Sequence, residues 1–385
     1  VTGSHIPDNR NGIKFYRPDG EILKDDETGI LRQTVSADDG GWTEGMFPAC
    51  PALPKAIDVR PAYIARYVHF FGASALHGLR LGVYQHSAVG RDILVDILKS
   101  LGAEVIVLGR SEMFIPVDTE AVRAEDIDLA RRWAAEHCLD AIASTDGDSD
   151  RPLLADHMGE WLRGDVLGVL CAQAVGAQSV VTPVSSNTLV EKCGAFATVH
   201  RTRIGSPYVI AAMEAALAAR DGVVGGYEAN GGFLLASAVT RAGQTLSALP
   251  TRDAVLPIVA SLAAARPGRL ADLLADLPPR TTFSDRLADF APARRDALFN
   301  WMKQGATDAR MAQLGGSFED IAGAVLADID DLDGVRMSFA NGRIIHLRGS
   351  GNAPELRCYA EAESKSLAES LSRQVLDWVA QRFPA

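Results

Sequence analysis

Ala141-Ile142-Ala143-Ser144-Thr145-Asp146-Gly147-Asp148-Ser149-Asp150-Arg151 passes from a short apolar run to three aspartates within five residues. Residues 141–144 read as a buried strand. The stretch before them carries Ile127, Ala130, Trp133, Ala134 and His137 at helical spacing. Further upstream, residues 79–84 read as a strand. Ile93, Leu94, Ile97, Leu98 and Leu101 then recur at helical spacing, and residues 104–108 read as a second strand. This is a βαβ unit. The acidic motif therefore sits at the carboxyl end of a strand in an α/β sheet, where open sheets of this class bind ligands.

The alternation restarts beyond it, with strands expected at 179–182 and 197–200, a short helix at 189–193, and a long helix through Ile210, Met213, Ala216 and Leu217. Residues 250–277 read as helices interrupted by Pro257, Pro267 and Gly268, and Pro278-Pro279 as a linker. Strand candidates at 334–339, 343–347 and 356–361 precede a closing helix with Leu367, Leu371, Val375, Trp378 and Val379 on one face. Strands grouped before a helix suggest an α+β tail. At the front, residues 13–17 read as a strand ending in Pro18-Asp19-Gly20, followed by loop-rich chain to about residue 58.

The chain has 385 residues, 47% apolar and 23% charged, the composition of a multidomain globular protein. No apolar run reaches a membrane span. A net charge of −11 without a basic stripe argues against a nucleic-acid partner but leaves locally basic loops for small anions. The five cysteines, Cys50, Cys138, Cys171, Cys193 and Cys358, show no metal-ligand spacing and read as buried thiols of a reducing cytoplasm. Residues 1–7 have neither the basic nor the apolar region of a signal peptide, so a cytoplasmic location is expected.

Four segments carry chemistry. Asp146, Asp148 and Asp150 alternate with small residues and can turn three carboxylates onto one hard cation such as Mg²⁺. An EF-hand is excluded, because Arg151 and His157 stand where the turn glycine and closing glutamate belong; the other reading is a solvated acidic turn. Thr2-Gly3-Ser4-His5-Ile6-Pro7, followed by Lys14, places a hydroxyl, an imidazole and an ammonium near one loop, which is either a nucleophile's setting or a polar loop. Arg348-Gly349-Ser350-Gly351-Asn352, with Arg357 beyond, combines guanidiniums, a hydroxyl and backbone donors that suit a phosphate monoester, or forms a plain loop between strands. Residues 225–232 offer Glu228 and Asn230 on a glycine-rich loop that can hold vicinal sugar hydroxyls or serve as a simple hairpin.

In this order and at these spacings, the four segments resemble the phosphoserine, metal, sugar and phosphate loops of the α-D-phosphohexomutase family. Thr2-Gly3-Ser4-His5 is similar to that family's T-A/G-S-H-N-P, with Ile6 for the asparagine, and Lys14 matches the lysine that follows it. Asp146 to Arg151 resembles D-G-D-G-D-R, with Ser149 for the last glycine. The sugar loop resembles G-E-x-S-G-H, with Asn230 for the serine and Gly232 for the histidine. Arg348 to Pro354 resembles R-x-S-G-T-E-P with Asn352 and Ala353, variants like those of bacterial phosphomannomutases.

The resemblance implies consecutive α/β domains plus a C-terminal α+β domain: a partial first domain at 1–76 with the phosphoserine loop, a metal-binding domain at 77–177, a sugar-binding domain at 178–280 and a phosphate-binding domain at 281–385. The family has a sizeable segment before its phosphoserine, so an incomplete domain-one sheet is expected. The implied activity is phosphomannomutase/phosphoglucomutase, with Ser4 phosphorylated, Mg²⁺ on Asp146, Asp148, Asp150 and the phosphoserine, and a hexose 1,6-bisphosphate as activator. Arg348, Ser350, Gly351, Asn352 and Arg357 would hold the second phosphate. Glu228 and Asn230 would read the hexose hydroxyls, with Arg203 and Gly205 closing on the sugar. Lys14, Arg151 and His5 would assist charge stabilisation or proton transfer. The expected partner is a hexose phosphate, with no nucleic acid or membrane, on a monomer or homodimer. Two rivals stand beside this reading: an Mg²⁺-dependent phosphatase with Asp146 or Asp148 as nucleophile, and a chain that binds sugar phosphates without turning them over.

Overall fold

Strand Arg80–His86, helix Arg91–Ser100 and strand Glu104–Arg110 form the expected βαβ unit, the two strands pairing in parallel. Leu94, Ile97 and Leu98 of the helix are buried with Leu81 and Val83 of the strand, as their spacing requires. The computed structural model describes residues 13–18, 20–36, 54–350 and 354–384. Strand Ala141–Thr145 adds in parallel to Arg80–His86, and Pro152–Ala155 closes the four-stranded sheet antiparallel to it. That last strand is not foreseen from the sequence, because it opens on a proline, a residue a strand accepts only at its start or edge. Its pairing, Thr145 opposite Pro152, makes residues 146–151 a hairpin loop.

The second sheet has five strands in the spatial order Leu249–Asp253, Phe233–Leu235, Val224–Tyr227, Ser179–Pro183 and Thr198–Thr202. Its last three are parallel and its first two antiparallel, so residues 228–232 form a hairpin loop between Tyr227 and its partner Phe233. Pro257 does not interrupt a helix. It lies in the first turn of Val255–Ala264, where its missing N–H would have had no partner in any case. Helix Gly164–Val175 packs against Val255–Ala264 and strand Val224–Tyr227, so a boundary after residue 177 parts it from the sheet it covers. The C-terminal unit is a five-stranded antiparallel sheet, Thr281–Leu287, Leu356–Ala362, Ile344–Gly349, Val335–Phe339 and Leu326–Asp330, covered by helices Thr307–Ala322 and Lys365–Arg382.

One buried cluster runs from helix Arg60–Phe71 through the first sheet and into helices Gly164–Val175 and Val255–Ala264. The C-terminal unit keeps its own core around Phe290, Leu298, Phe318, Met337 and Val375. The first two units therefore share apolar burial, at about 1.5–3 kcal/mol for each large side chain, whereas the tail meets them through polar contacts. Arg280 Nε donates to Glu361 Oε1 at 2.7 Å, Glu361 Oε2 accepts the Thr188 N–H at 2.9 Å, and Asn187 Nδ2 donates to Thr282 Oγ1 at 2.9 Å.

Three further expectations are corrected. The first strand is only Tyr16–Arg17, hairpinned to Gly20–Glu21, and the stretch called loop-rich holds helix Lys24–Leu31. Of the cysteines described, Cys171 and Cys358 are buried, but Cys193 is half-buried and Cys138 is exposed at the left-handed end of helix Ala124–His137. Among the described residues, no helix is long and apolar enough to cross a membrane.

Candidate active site

The apolar strand Ala141–Thr145 delivers Asp146 fully buried, while Asp148 and Asp150 are partly open. Asp146 Oδ1 accepts the backbone N–H groups of Asp150 and Arg151, both at 3.1 Å, which folds the loop back over its own first residue. Ser149 takes the left-handed conformation, φ +64°, at the position where the family pattern has glycine. Its hydroxyl accepts the Gly90 N–H at 2.8 Å and bonds Thr145 Oγ1 at 3.0 Å, and the Val89 N–H reaches the Gly147 carbonyl at 3.0 Å. Those bonds offset the strain of a side chain at positive φ.

Three carboxylate oxygens, one from each aspartate, lie within 4.8 Å of one another. Burial, then Asp150 and Asp148, push the Asp146 carboxyl up to about 7, because like charges this close cannot all ionise without a cation. Lys14 supplies part of it. Its ammonium donates to Asp150 Oδ2 at 2.7 Å and to Asp148 Oδ2. Burial works against the Lys14 charge, but Asp150 and Asp148 outweigh it and hold the pKa above the usual lysine value. Asp150 Oδ1 is buried without a hydrogen-bond partner among the described residues. An all-oxygen set with an unsatisfied buried oxygen fits a hard divalent cation.

The second hairpin loop stands beside the first. Glu228 and Asn230 are buried, Gly231 turns at φ +89°, and Asn230 Oδ1 caps the Gly232 N–H at 2.9 Å. Gly164 makes the approach possible: a Cβ there would lie 2.2 Å from the Asn230 carbonyl carbon and the Gly231 nitrogen. Thr119 Oγ1 donates to the Asn230 carbonyl at 2.9 Å, tying a loop of the first sheet to the second hairpin loop. Arg252 completes the junction. Its Nη2 lies 3.1 Å from Asp150 Oδ2, its Nη1 3.5 Å from Glu228 Oε2, and its Nε 3.6 Å from Glu21 Oε1. Burial opposes that charge, yet Glu228, Asp150 and Glu21 together hold the Arg252 pKa above normal. Lys14, Tyr16, Glu21, Pro207 and Arg252 line an adjoining cavity of about 220 Å³.

In the C-terminal sheet, Arg348 and Arg357 are directly opposite each other on paired strands. Like charges in that register are unfavourable unless anions offset them; Asp333 beside Arg348 and Glu355 beside Arg357 do so in part, and two guanidiniums on one face suit a phosphate. Asp333 positions the first of them. Its Oδ1 accepts from Arg348 Nε and its Oδ2 from the Ile204 N–H, both at 3.0 Å, while Arg203 Nε donates to the Leu332 carbonyl at 3.1 Å. Arg203, Tyr208, Lys303 and Arg348 thus share a cavity of about 330 Å³. Gly205, at φ +129°, is the N-cap of helix Ser206–Ala219. Burial, then Asp118, raises the Glu120 carboxyl, with Arg151 and Arg163 pulling the other way, and the Arg357 guanidinium is held above normal against burial by Tyr359 first and then by Glu120 and Glu355.

Of the residues expected from sequence, Lys14, Asp146, Asp148, Asp150, Arg151, Glu228 and Asn230 meet at the two hairpin loops. Arg203, Gly205, Arg348 and Arg357 belong to the Asp333 side, and Ser350 follows Arg348 in the chain, its N–H donating to the Glu355 carbonyl at 2.9 Å. Ser4, His5, Gly351 and Asn352 lie outside the described residues. Sequence reasoning did not find Arg252, Asp333 or Thr119. Only Arg252 had a visible signal, a cation between Thr251 and Asp253 on the stretch that follows the loop at 228–232 after an intervening hairpin.

Comparison with known proteins gives three family-model matches: phosphoglucomutase/phosphomannomutase alpha/beta/alpha domain II at residues 61–159, domain III at 163–281 and the C-terminal domain at 303–377. A phosphomannomutase of Salmonella muenchen is 46% identical over 98% of this chain and 76% of its own length. A phosphomannomutase of Sinorhizobium fredii (strain NBRC 101917 / NGR234) is 46% identical over 98% of this chain and 78% of its own length. In structure, a phosphoglucomutase/phosphomannomutase family protein from Burkholderia thailandensis superposes with a TM-score of 0.64 at 16% identity, over 85% of this chain and 65% of that one.

Proposed function

Because the chain belongs to the phosphoglucomutase/phosphomannomutase family, we propose that its two hairpin loops and its arginine pair carry out the 1-to-6 phosphoryl shift of a phosphomannomutase on a hexose phosphate. The observation that carries this reading is the ion-pair chain Lys14–Asp150–Arg252–Glu228, which sets a cation-seeking loop against a sugar-reading one. Asp146, Asp148 and Asp150 would hold Mg²⁺, which supplies charge withdrawal from a transferring phosphoryl group.

Ser4 carries the phosphoryl group at rest. A hexose monophosphate docks with its own phosphate on Arg348, Ser350, Gly351, Asn352 and Arg357, and Glu228 and Asn230 accept or donate hydrogen bonds to its hydroxyls. Its free hydroxyl attacks phosphorus as the bond to Ser4 Oγ breaks, and its proton passes to a base near the loop. Lys14 and Arg151 stabilise the charge spread over the phosphoryl oxygens, and His5 is placed in sequence to move the proton. The resulting 1,6-bisphosphate reorients, presents its other phosphate, and returns it to Ser4. The arginine pair serves both orientations, since a phosphate monoester offers the same oxygens from either end of the sugar.

The test is phosphopeptide mapping of the purified chain, followed by a coupled assay with mannose 1-phosphate, Mg²⁺ and a trace of hexose 1,6-bisphosphate. Phosphate on Ser4 with bisphosphate-stimulated isomerisation is expected. Release of inorganic phosphate through an aspartyl phosphate would overturn the mutase in favour of a phosphatase.

A further inference from the structure

Gly232 stands where the family pattern has histidine, and a Cβ built on it would lie 2.9 Å from Arg252 Cδ and 3.0 Å from Arg252 Cγ. The space a side chain at 232 would enter is already filled by the stem of Arg252. That side chain comes from a strand whose pairing with Phe233–Leu235 shifts register between Phe233 and Leu235, an irregularity of the kind that re-aims side chains. Its guanidinium ends between Asp150 of the metal loop and Glu228 of the sugar loop, on separate nitrogens, with Glu21 behind it and Lys14 and Tyr16 across the adjoining cavity.

We propose that Arg252 takes the place of the sugar-loop histidine in this chain, as a positioning residue that clamps Glu228 to Asp150 and so fixes the carboxylate that reads the hexose hydroxyls. The inference rests on the phosphohexomutase reading of the sugar loop. The contact to Glu228 Oε2 is an ion pair at 3.5 Å, longer than a hydrogen bond, and that oxygen has no hydrogen-bond partner among the described residues. The clamp thus holds the carboxylate's charge in place while leaving its lone pairs for a sugar hydroxyl. A lysine cannot do the same, because one ammonium on a thin stem does not span two carboxylates with the geometry of a planar fork. Glycine at 232 and arginine at 252 are then one exchange made at two positions.

The test is a four-protein cycle of wild type, G232H, R252A and G232H/R252A, with R252K beside it. Affinity for mannose 1-phosphate in Mg²⁺ is read by calorimetry and folding by thermal melting. R252A is expected to weaken binding about tenfold or more, as loss of one member of a buried charge pair does. G232H alone should weaken binding and lower the melting temperature, because its side chain meets the arginine. The double variant should bind more tightly than either single one, since the imidazole then enters the space the arginine has left. R252K should melt like wild type and still lose several-fold in affinity. Additive losses around the cycle, or wild-type affinity in R252K, would overturn the clamp. R252K keeps the question decidable even where R252A fails to fold. Turnover of mannose 1-phosphate by wild type is followed separately. If it is absent while the affinity pattern holds, the mutase reading fails and the clamp stands; if it is present with additive losses, the clamp alone fails.

Discussion

The loop at 146–151, proposed to hold the metal, and the loop at 228–232, proposed to read the sugar, are both short hairpin connections at strand ends, and they meet opposite problems of charge. The first packs three carboxylates together and draws in cations from outside itself. The second carries one buried carboxylate, Glu228, and its cation reaches it from a neighbouring strand. In the metal loop nearly all the chemistry is written in consecutive residues. In the sugar loop it is divided between a loop and a strand two turns of chain away. A consecutive motif therefore announces itself, whereas a divided one becomes visible only when the fold brings its halves together.

The largest expected effect falls on the metal loop. Asp148→Asn should cut turnover roughly a thousandfold, the scale of several kcal/mol of charge stabilisation, while binding of mannose 1-phosphate, read by calorimetry, changes far less. In the same experiment Mg²⁺ should raise the melting temperature of wild type more at pH 8 than at pH 6. Below about 7 a proton on Asp146 relieves the repulsion that the metal would otherwise relieve, so metal and proton compete. An equal Mg²⁺ effect at both values would break the account of the loop's charge.

The joint between the loops comes next. Gly164→Ala drives a methyl into the backbone of Asn230 and Gly231, and should cost about 1–3 kcal/mol of stability in denaturant unfolding, together with weaker sugar-phosphate binding. Stability lost with affinity retained would show that the loops do not depend on this approach. Glu228→Gln sharpens the contrast from the other side: KM for the hexose phosphate should rise about tenfold with a smaller change in kcat, the pattern of an interaction made before the transition state. The smallest effect concerns Ser149. Ser149→Ala should cost about 1–2 kcal/mol by losing the bonds to Gly90 and Thr145 while keeping the strain, and Ser149→Gly should regain about 1 kcal/mol of that at φ +64°. Equal stabilities of the two variants would mean the left-handed turn stores no strain.

Much of the frame was legible because it rests on periodicity. The βαβ unit, the helix Ser206–Ala219 and the three C-terminal strands around Arg348 lie where their apolar spacing places them. Helix Arg60–Phe71 was not read, because its apolar face, Tyr63, Tyr67 and Phe70, mixes with arginines and a histidine and owes its place to Asp253, which accepts the Tyr63 hydroxyl at 2.8 Å and the Tyr67 hydroxyl at 2.6 Å. Pro257 misled for a related reason: a proline marks a break by composition but a helix start by position. Within the site, the aspartates and Arg348 could be named from sequence because each stands in a run of consecutive residues whose composition suits one ligand chemistry. Arg252 and Asp333 could not, since each acts on groups supplied by other units.

The reach of Arg252 also sets an order of events during synthesis. Asp150 leaves the ribosome well before the arginine that will pair with it, by roughly 5–20 s at ordinary elongation rates. In that interval Lys14 and the loop's own Arg151 are among the cations that temper the acidic loop. The first sheet can therefore close early, while its acidic corner comes to rest only once the strand Leu249–Asp253 has been made.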